Sequence, residues 1–296
     1  MIPLERHLKQ SDNTLRVSDP LLEEAAFIAA AIREGSLSAG DVVEWALSRL
    51  RDIGLPAGQP ATIDAARRRA DAIDTDRVLS SLPLAGVPVV FADADPWGAA
   101  LVSAGAVRVG GCDGGLPGAQ QATQIVATGA AALAIVTGIG SGFQRGGSHR
   151  LNDAGRVLLS RSSRDIALAL DARDGVTGGL CRPVTGSVGK GLRSLRIAYE
   201  PTAAAIAKAF ASYAAPSIPI ALLAPNREPF MRGERLFDQF DVLLSADLSA
   251  ADIAQSLAVP LAPDRDVFVC GMSSEAIVRV GAVIDALILS GNAGPP

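Results

Sequence analysis

Residues 134–145, AIVTGIGSGFQR, run from an apolar stretch straight into alternating glycines. Glycine-rich loops of this kind let backbone N–H groups crowd around a phosphate or a developing oxyanion. One hydroxyl lies among the alternating glycines, Ser141, and His149 follows it. A serine attacks an acyl carbon only when a base takes its proton and donors receive the oxyanion. His149 is a candidate base, and Asp93, which ends GVPVVFAD, is with Asp95 a candidate for binding a cation or substrate. Each residue also has an ordinary reading. A loop serine bonds nearby backbone, a lone loop histidine is a solvated side chain, and Asp93 and Asp95 just before Pro96 read as turn or cap residues. Arg145, Arg150 and Arg156 read either as an anion-binding patch or as a solvated basic loop. Cys112 reads as a buried inert thiol rather than a redox site.

The elements that must carry these residues follow from periodicity. Asp19–Pro20 has the form of an N-cap with proline in the first turn, and Leu21, Ala25, Ile28 and Ile32 then recur at helical spacing. Ser38 with Asp41 resembles a capping box, and a second amphipathic helix runs through Val43, Leu47 and Leu50 to a stop at Gly54. Residues 62–74 read as a third helix. Beyond them, short β-branched or apolar runs predict strands at 87–91, 105–109, 131–137, 195–199, 218–223, 241–245 and 267–270. Alanine-rich stretches predict helices at 119–130, 161–173, 201–214, 250–258 and 273–289. Strands alternating with helices imply an α/β sheet covered on both faces.

Bulk properties exclude several classes. The chain has 296 residues, 49% of them hydrophobic, and a formal charge of −4, which leaves no electrostatic footprint for nucleic acid or an anionic membrane. Its three cysteines show no zinc spacing or disulfide framework, and two histidines, His7 and His149, are too few for a metal site. No cofactor is expected. The polar N-terminus lacks the apolar core of a signal peptide, and no apolar run is long enough to span a bilayer. The expectation is a cytoplasmic protein. Residues 1–18 read as a flexible tail, 19–289 as one domain and 290–296 as a frayed end.

At SLPLAGVPVVFADA (81–94) the chain resembles the amidase signature family, serine hydrolases that cleave carboxamides and related C–N bonds. The corresponding family run is P-L-x-G-V-P-hydrophobic ending in V-K-D. Further segments resemble the family in the same order. They are the paired N-terminal helices from Asp19, VSAGAVRVGGCD, TQIVATGAAALAIVTGIGSGFQR, SRSSRDIALALDARDG, LRIAYEPTAAAIAKAF, FDVLLS and FVCGMSSEAIVRVGAVIDAL. The resemblance spans roughly residues 19–289 and implies a single-domain α/β/α sandwich around a mixed β-sheet. The loops that frame the substrate in the family, after Ala94, Asp113 and Arg145, are shortened here.

The family's mechanism uses a lysine base, a relay serine in a cis peptide linkage and a nucleophilic serine. The resemblance places these at Ala92, Gly118 and Gly142, so none of the three side chains is present. Gly138 likewise replaces the aspartate of the signature. Ile139, Gly140, Ser141 and Gly142 remain as a vestigial oxyanion loop. The only lysines are Lys9, Lys190 and Lys208, none near the signature. The reading is therefore a catalytically degenerate member acting as a binding, structural or regulatory subunit. Its expected partners are further copies of itself or another protein such as an active paralogue, with no nucleic acid or membrane. The alternative is an active amide hydrolase or acyl-transfer enzyme using Ser141, Asp93 and His149.

Overall fold

The computed structural model describes residues 19–55, 59–112, 115–137, 148–153, 155–176, 183–188, 190–192, 194–200, 203–213, 220–222, 237, 239–246, 255–262 and 265–290. Strands β1 (Pro88–Phe91), β2 (Val107–Gly110) and β3 (Leu133–Thr137) form where the β-branched runs stand, and they pair in parallel with β1 in the middle. The next strands pair antiparallel: β3 with β5 (Arg156–Ser160), β5 with β4 (His149–Asp153), β4 with β9 (Gln255–Ala262), and β9 with β10 (Arg265–Gly271). Antiparallel pairing continues to β8 (Val242–Ser245), which is followed in parallel by β6 (Ile197–Tyr199) and β7 (Ile220–Leu222). The result is one mixed ten-stranded sheet in the order β2-β1-β3-β5-β4-β9-β10-β8-β6-β7. Buried positions fill both alternating faces of β1 and β8, as a sheet covered on two sides requires.

Helices α1 (Ala25–Arg33), α2 (Ala39–Asp52) and α3 (Pro60–Thr75) precede the sheet, and α4 (Arg77–Ser80) leads into β1. The α2 start matches its sequence signal: Ser38 Oγ accepts the Asp41 N–H at 3.2 Å. Its end falls at Gly54, held at φ +72°. Helix α5 (Pro96–Ser103) follows β1, α6 (Gly115–Ala127) follows β2, and α7 (Ser163–Val176) follows β5. The short α8 (Thr185–Val188) and α9 (Ala204–Tyr213) flank β6, and α10 (Ser274–Leu289) follows β10. Helix α10 lays Ile277, Val280, Ile284 and Leu287 into the core.

Two readings of the sequence are corrected, and two features are new to it. Residues 255–258 belong to strand β9, because β4 and β10 hydrogen-bond it from both sides and override its alanine-rich, helix-like composition. Pro260 is accommodated there since β4 pairs only with Ser256–Ala258 and leaves that flank open. The helix expected from Asp19 instead begins at Ala25, after a single 3-10 turn at Pro20–Leu22 in which Asp19 caps Leu21 N–H at 3.1 Å. The β4–β5 pair and helix α5 were not expected from the sequence. The tail at 1–18 and residues 291–296 lie outside the described residues.

A buried polar knot ties the sheet edge at the amino ends of β1 and β3 to the N-terminal helices. Arg161 donates from Nη1 to Val126 O at 3.1 Å and Ala131 O at 3.0 Å, and from Nη2 to Glu23 O at 2.6 Å. Beside it Asp165, in the first turn of α7, is fully buried, and neither carboxylate oxygen meets a hydrogen-bond partner of ordinary geometry. Burial, with Glu24 close by, pushes its pKa up to about 7, against the opposing pull of Arg161 and the Ala25 and Ala26 N–H groups. The folded protein therefore holds a proton that the unfolded chain has released. Stability should fall as pH rises from about 4 to about 7 and level off above, with a slope of at most about 1.4 kcal/mol per pH unit for one proton. Urea midpoints measured across this range should show the slope in the wild type and lose it in Asp165→Asn.

Candidate functional site

Strand register fixes where each candidate sits. Val89, Val90 and Phe91 of β1 lie beside Leu133, Ala134 and Ile135 of β3, so Ala92 and Asp93 follow at the height of the β3 carboxyl end. Helix α6 runs back from that same edge, with Gly118 buried in its first turn. The glycine-rich loop departs from the edge after Thr137. Ala92, Gly118 and the start of the loop thus share one end of the sheet. Residues 138–147, which include Ile139, Gly140, Ser141, Gly142 and Arg145, lie outside the described residues.

The chain closes over this edge. Asp95 Oδ1 accepts the N–H groups of Trp97 at 2.8 Å and Gly98 at 3.1 Å, and Pro96 occupies the first turn, so only residues 92–95 separate β1 from α5. Gly98 makes that approach possible: a Cβ there would stand 2.1 Å from the Phe91 ring. Ala94 takes the turn with φ at +60°. The capping reading of Asp95 therefore holds.

Two guanidinium groups hold the turn that follows β1. Arg108 of β2 donates to Phe91 O at 3.0 Å, Gly110 O at 3.1 Å and Asp93 Oδ1 at 2.6 Å, and its guanidinium lies 4.8 Å from the Phe91 ring centroid. Arg156 of β5 reaches Asp95 Oδ2 at 3.4 Å. Both candidate aspartates are thus engaged by arginine. A guanidinium carries its charge at any working pH, so it supplies positive potential without accepting a proton. Cys112 is buried, with its thiol toward Ile135 O at 3.0 Å, and among the described residues no group of three potential ligands could hold a metal.

The structure takes His149 elsewhere. β4 opens at His149 opposite Ser160 and closes at Asp153 opposite Arg156, the residue that faces Thr137. His149 therefore lies at the amino edge of β3, roughly 13 Å along the strands and roughly 14 Å across three strand spacings from Asp93. This separation corrects the expectation that Asp93 and His149 act together. The carboxylate that holds His149 is Asp285 of α10, with Nε2 to Oδ1 at 2.6 Å, while Asp285 Oδ2 accepts the Ser163 N–H at 2.9 Å. His149 Nδ1 is buried and meets no hydrogen-bond partner among the described residues. Arg150 forms a fully buried pair with Asp266 across β9, whereas Arg156 stands at the opposite edge, so the two do not form one basic patch.

Two of the three lysines lie among the described residues. Lys190 Nζ donates to Ser187 Oγ at 3.1 Å beside the short helix α8. Lys208 is exposed on α9, which joins β6 to β7 at the far side of the sheet. Lys9 lies outside the described residues. Among those residues, no helix is long and apolar enough to cross a membrane.

No protein-family model and no curated protein matches the sequence. Solved structures do match. A bacterial aryl acylamidase of the amidase signature enzymes superposes with a TM-score of 0.68 at 15% identity, covering 94% of this chain and 100% of its own. The peptide amidase of Stenotrophomonas maltophilia gives 0.68 at 14% identity, covering 90% and 97%. The chain has the amidase signature fold. A third match to that fold, at a TM-score of 0.67 and 18% identity over 89% and 98%, comes from a vestigial protein complex that reveals the evolutionary origins of an s-triazine catabolic enzyme.

The two aspartates at the β1 edge should respond differently to truncation. Asp93, whose side chain is 90% exposed, should tolerate Asp93→Ala within about 0.5 kcal/mol. Asp95→Ala should cost about 1–2 kcal/mol, because it removes a buried cap. Urea denaturation of both variants measures the contrast.

Proposed function

We propose that this protein is a catalytically degenerate amidase-fold protein, cytoplasmic, that acts by binding another protein. The observation that carries the reading is at the carboxyl end of β1. Ala92 stands where the resemblance puts the base, and the charged groups beside it are Arg108 and Arg156, both held by carboxylates. Gly118 and Gly142, at the relay and nucleophile positions, carry no hydroxyl. Losing base and relay from a unit that works together removes most of the rate, of order 10⁴-fold in serine hydrolases. The short turn into α5 is consistent with a reduced pocket. The partner proposed is a second copy of this chain or an active relative, a view supported by the likeness to a chain from a vestigial protein complex.

One observation favours a second reading, an amide hydrolase built on Ser141 and His149. Asp285 orients His149 as the carboxylate of a Ser-His-Asp set orients its imidazole. Against it stand the burial of the ring, 7% exposed, and its place at the opposite edge from Ala92.

A serine-directed fluorophosphonate separates the two. The protein should remain unlabelled and leave aryl amides intact. Stoichiometric phosphonylation of Ser141, lost in Ser141→Ala and slowed in His149→Ala, would reinstate the hydrolase.

A further inference from the structure

Asp165 lies at a contact between two helices. It stands in the first turn of α7, fully buried, against the start of α1. Neither carboxylate oxygen makes a hydrogen bond of ordinary geometry, although the N–H groups of Ala25 and Ala26 are close enough to act on it. Helix α1 has no side-chain cap of its own: Glu24 at the N-cap makes no cap hydrogen bond, and the first turn holds no acidic residue. The carboxyl at the open end of α1 thus comes from another helix, and it is shut away from water.

Few charged groups face it. Glu24 repels it from α1, and Arg161, in the turn before α7, attracts it. The guanidinium of Arg161 is spent on Val126 O, Ala131 O and Glu23 O, and Arg49 of α2 and Glu23 act on that guanidinium in turn. Arg164 of α7 turns outward and donates to Glu24 Oε2 at 3.4 Å. From α10, Asp285 is engaged by Ser163 N–H and His149. An ionised Asp165 therefore has little to replace the water it lost.

The first turn of α1 is the part of its surroundings that can give. The chain is pinned on both sides of that turn. A Cβ on Gly129 would stand 2.8 Å from Leu21 O, and one on Gly86 would stand 2.3 Å from Cδ1 of Ile32. Between these anchors the segment belongs to no strand, and Phe27, 51% exposed, marks the side that faces water. A helix of nine residues has little stability of its own. Its first two amide bonds, from Phe27 N–H at 3.0 Å and Ile28 N–H at 3.1 Å, end on the single carbonyl of Glu24. Releasing that carbonyl frays the turn.

We propose that residues 24–28 of α1 form a proton-operated latch, closed over Asp165 while its carboxyl is neutral and loosened locally, with the rest of the fold intact, when the carboxyl ionises. The closed turn keeps a proton that the hydrated carboxyl gives up. The opening constant therefore grows by up to tenfold per pH unit from about 4 to about 7 and is level above. The latch is tight in acid and loose at neutrality. It stands at the opposite edge from Ala92 and is independent of the binding reading.

Amide hydrogen exchange between pH 5 and 8, corrected for intrinsic rates, reads the latch at Phe27 and Ile28. Val280 and Ile284 in the core of α10 report global unfolding. Protection at Phe27 and Ile28 should fall close to tenfold per pH unit up to about pH 7, level off, and be indifferent to low urea. Protection at Val280 and Ile284 should be higher and should fall with urea. Asp165→Asn should abolish the pH slope at Phe27. Glu24→Gln, a surface change that also serves should Asp165→Asn fail to fold, removes the repelling charge and should move the levelling point to lower pH. The latch is overturned by flat protection at Phe27, by a slope there that shares the urea dependence of Val280, by a slope that survives Asp165→Asn, or by a levelling point that Glu24→Gln leaves in place.

Discussion

A serine hydroxyl becomes a nucleophile only when a neighbour can take its proton, and the carboxyl end of β1 is where an amidase fold needs that neighbour. In the proposed reading that position is Ala92, a methyl group, and the turn after it is held by the Arg108–Asp93 and Arg156–Asp95 pairs, which supply positive potential without a base. Guanidinium and ammonium are not equivalent in this role, because a desolvated lysine can lose its proton near neutral pH and an arginine in a protein does not. The surrounding geometry agrees with this constraint. Asp95 turns the chain into α5 at once, and Gly98 lets the helix press on Phe91 over the strand end.

Much of the sheet could be read from the chain alone. β1, β2, β3 and β8 announce themselves as short β-branched runs, and Ser38 with Asp41 marks the start of α2 where the hydrogen bond is found. The misses share a cause. β9 has the composition of a helix and becomes a strand because β4 and β10 lie on both its flanks, contacts formed across more than a hundred residues of chain on one side. β4 and β5 carry charged residues such as Arg150 that read as loop, yet Arg150 is buried because Asp266 meets it across β9. Local pattern records what a segment prefers, not which neighbours it will have.

The candidate site divides in the same way. Positions defined by a motif, Ala92 and Gly118, come together at one edge because the motif is itself a run along strands and helices. Candidates chosen for side-chain type alone scatter: Asp93 goes to Arg108 and His149 to Asp285. Asp285 gave no signal in the sequence, since it sits in an apolar helix 136 residues from its partner. The signal that could have raised it is the cost of leaving a carboxylate on the packed side of α10 without a partner.

The energetics of the two edges explain how such a site can change while the fold persists. Buried ionic and polar contacts cluster toward the amino edge of β1 and β3: Arg161 on three backbone carbonyls, Asp165 against α1, and His149 with Asp285. Removing one partner of a buried pair costs about 3–5 kcal/mol, comparable with a small domain's whole stability. At the carboxyl edge the Asp93–Arg108 pair is largely exposed on its acidic side, and such pairs contribute about 0–1 kcal/mol. Substitution of Asp93 is therefore tolerated by the fold, whereas the buried cap Asp95 and the close-packed Gly98 at the same edge are not free to change. In the proposed reading the exposed part of this edge can change without reorganising the core, because the contacts that tie the N-terminal helices to the sheet stand at the other end of the strands.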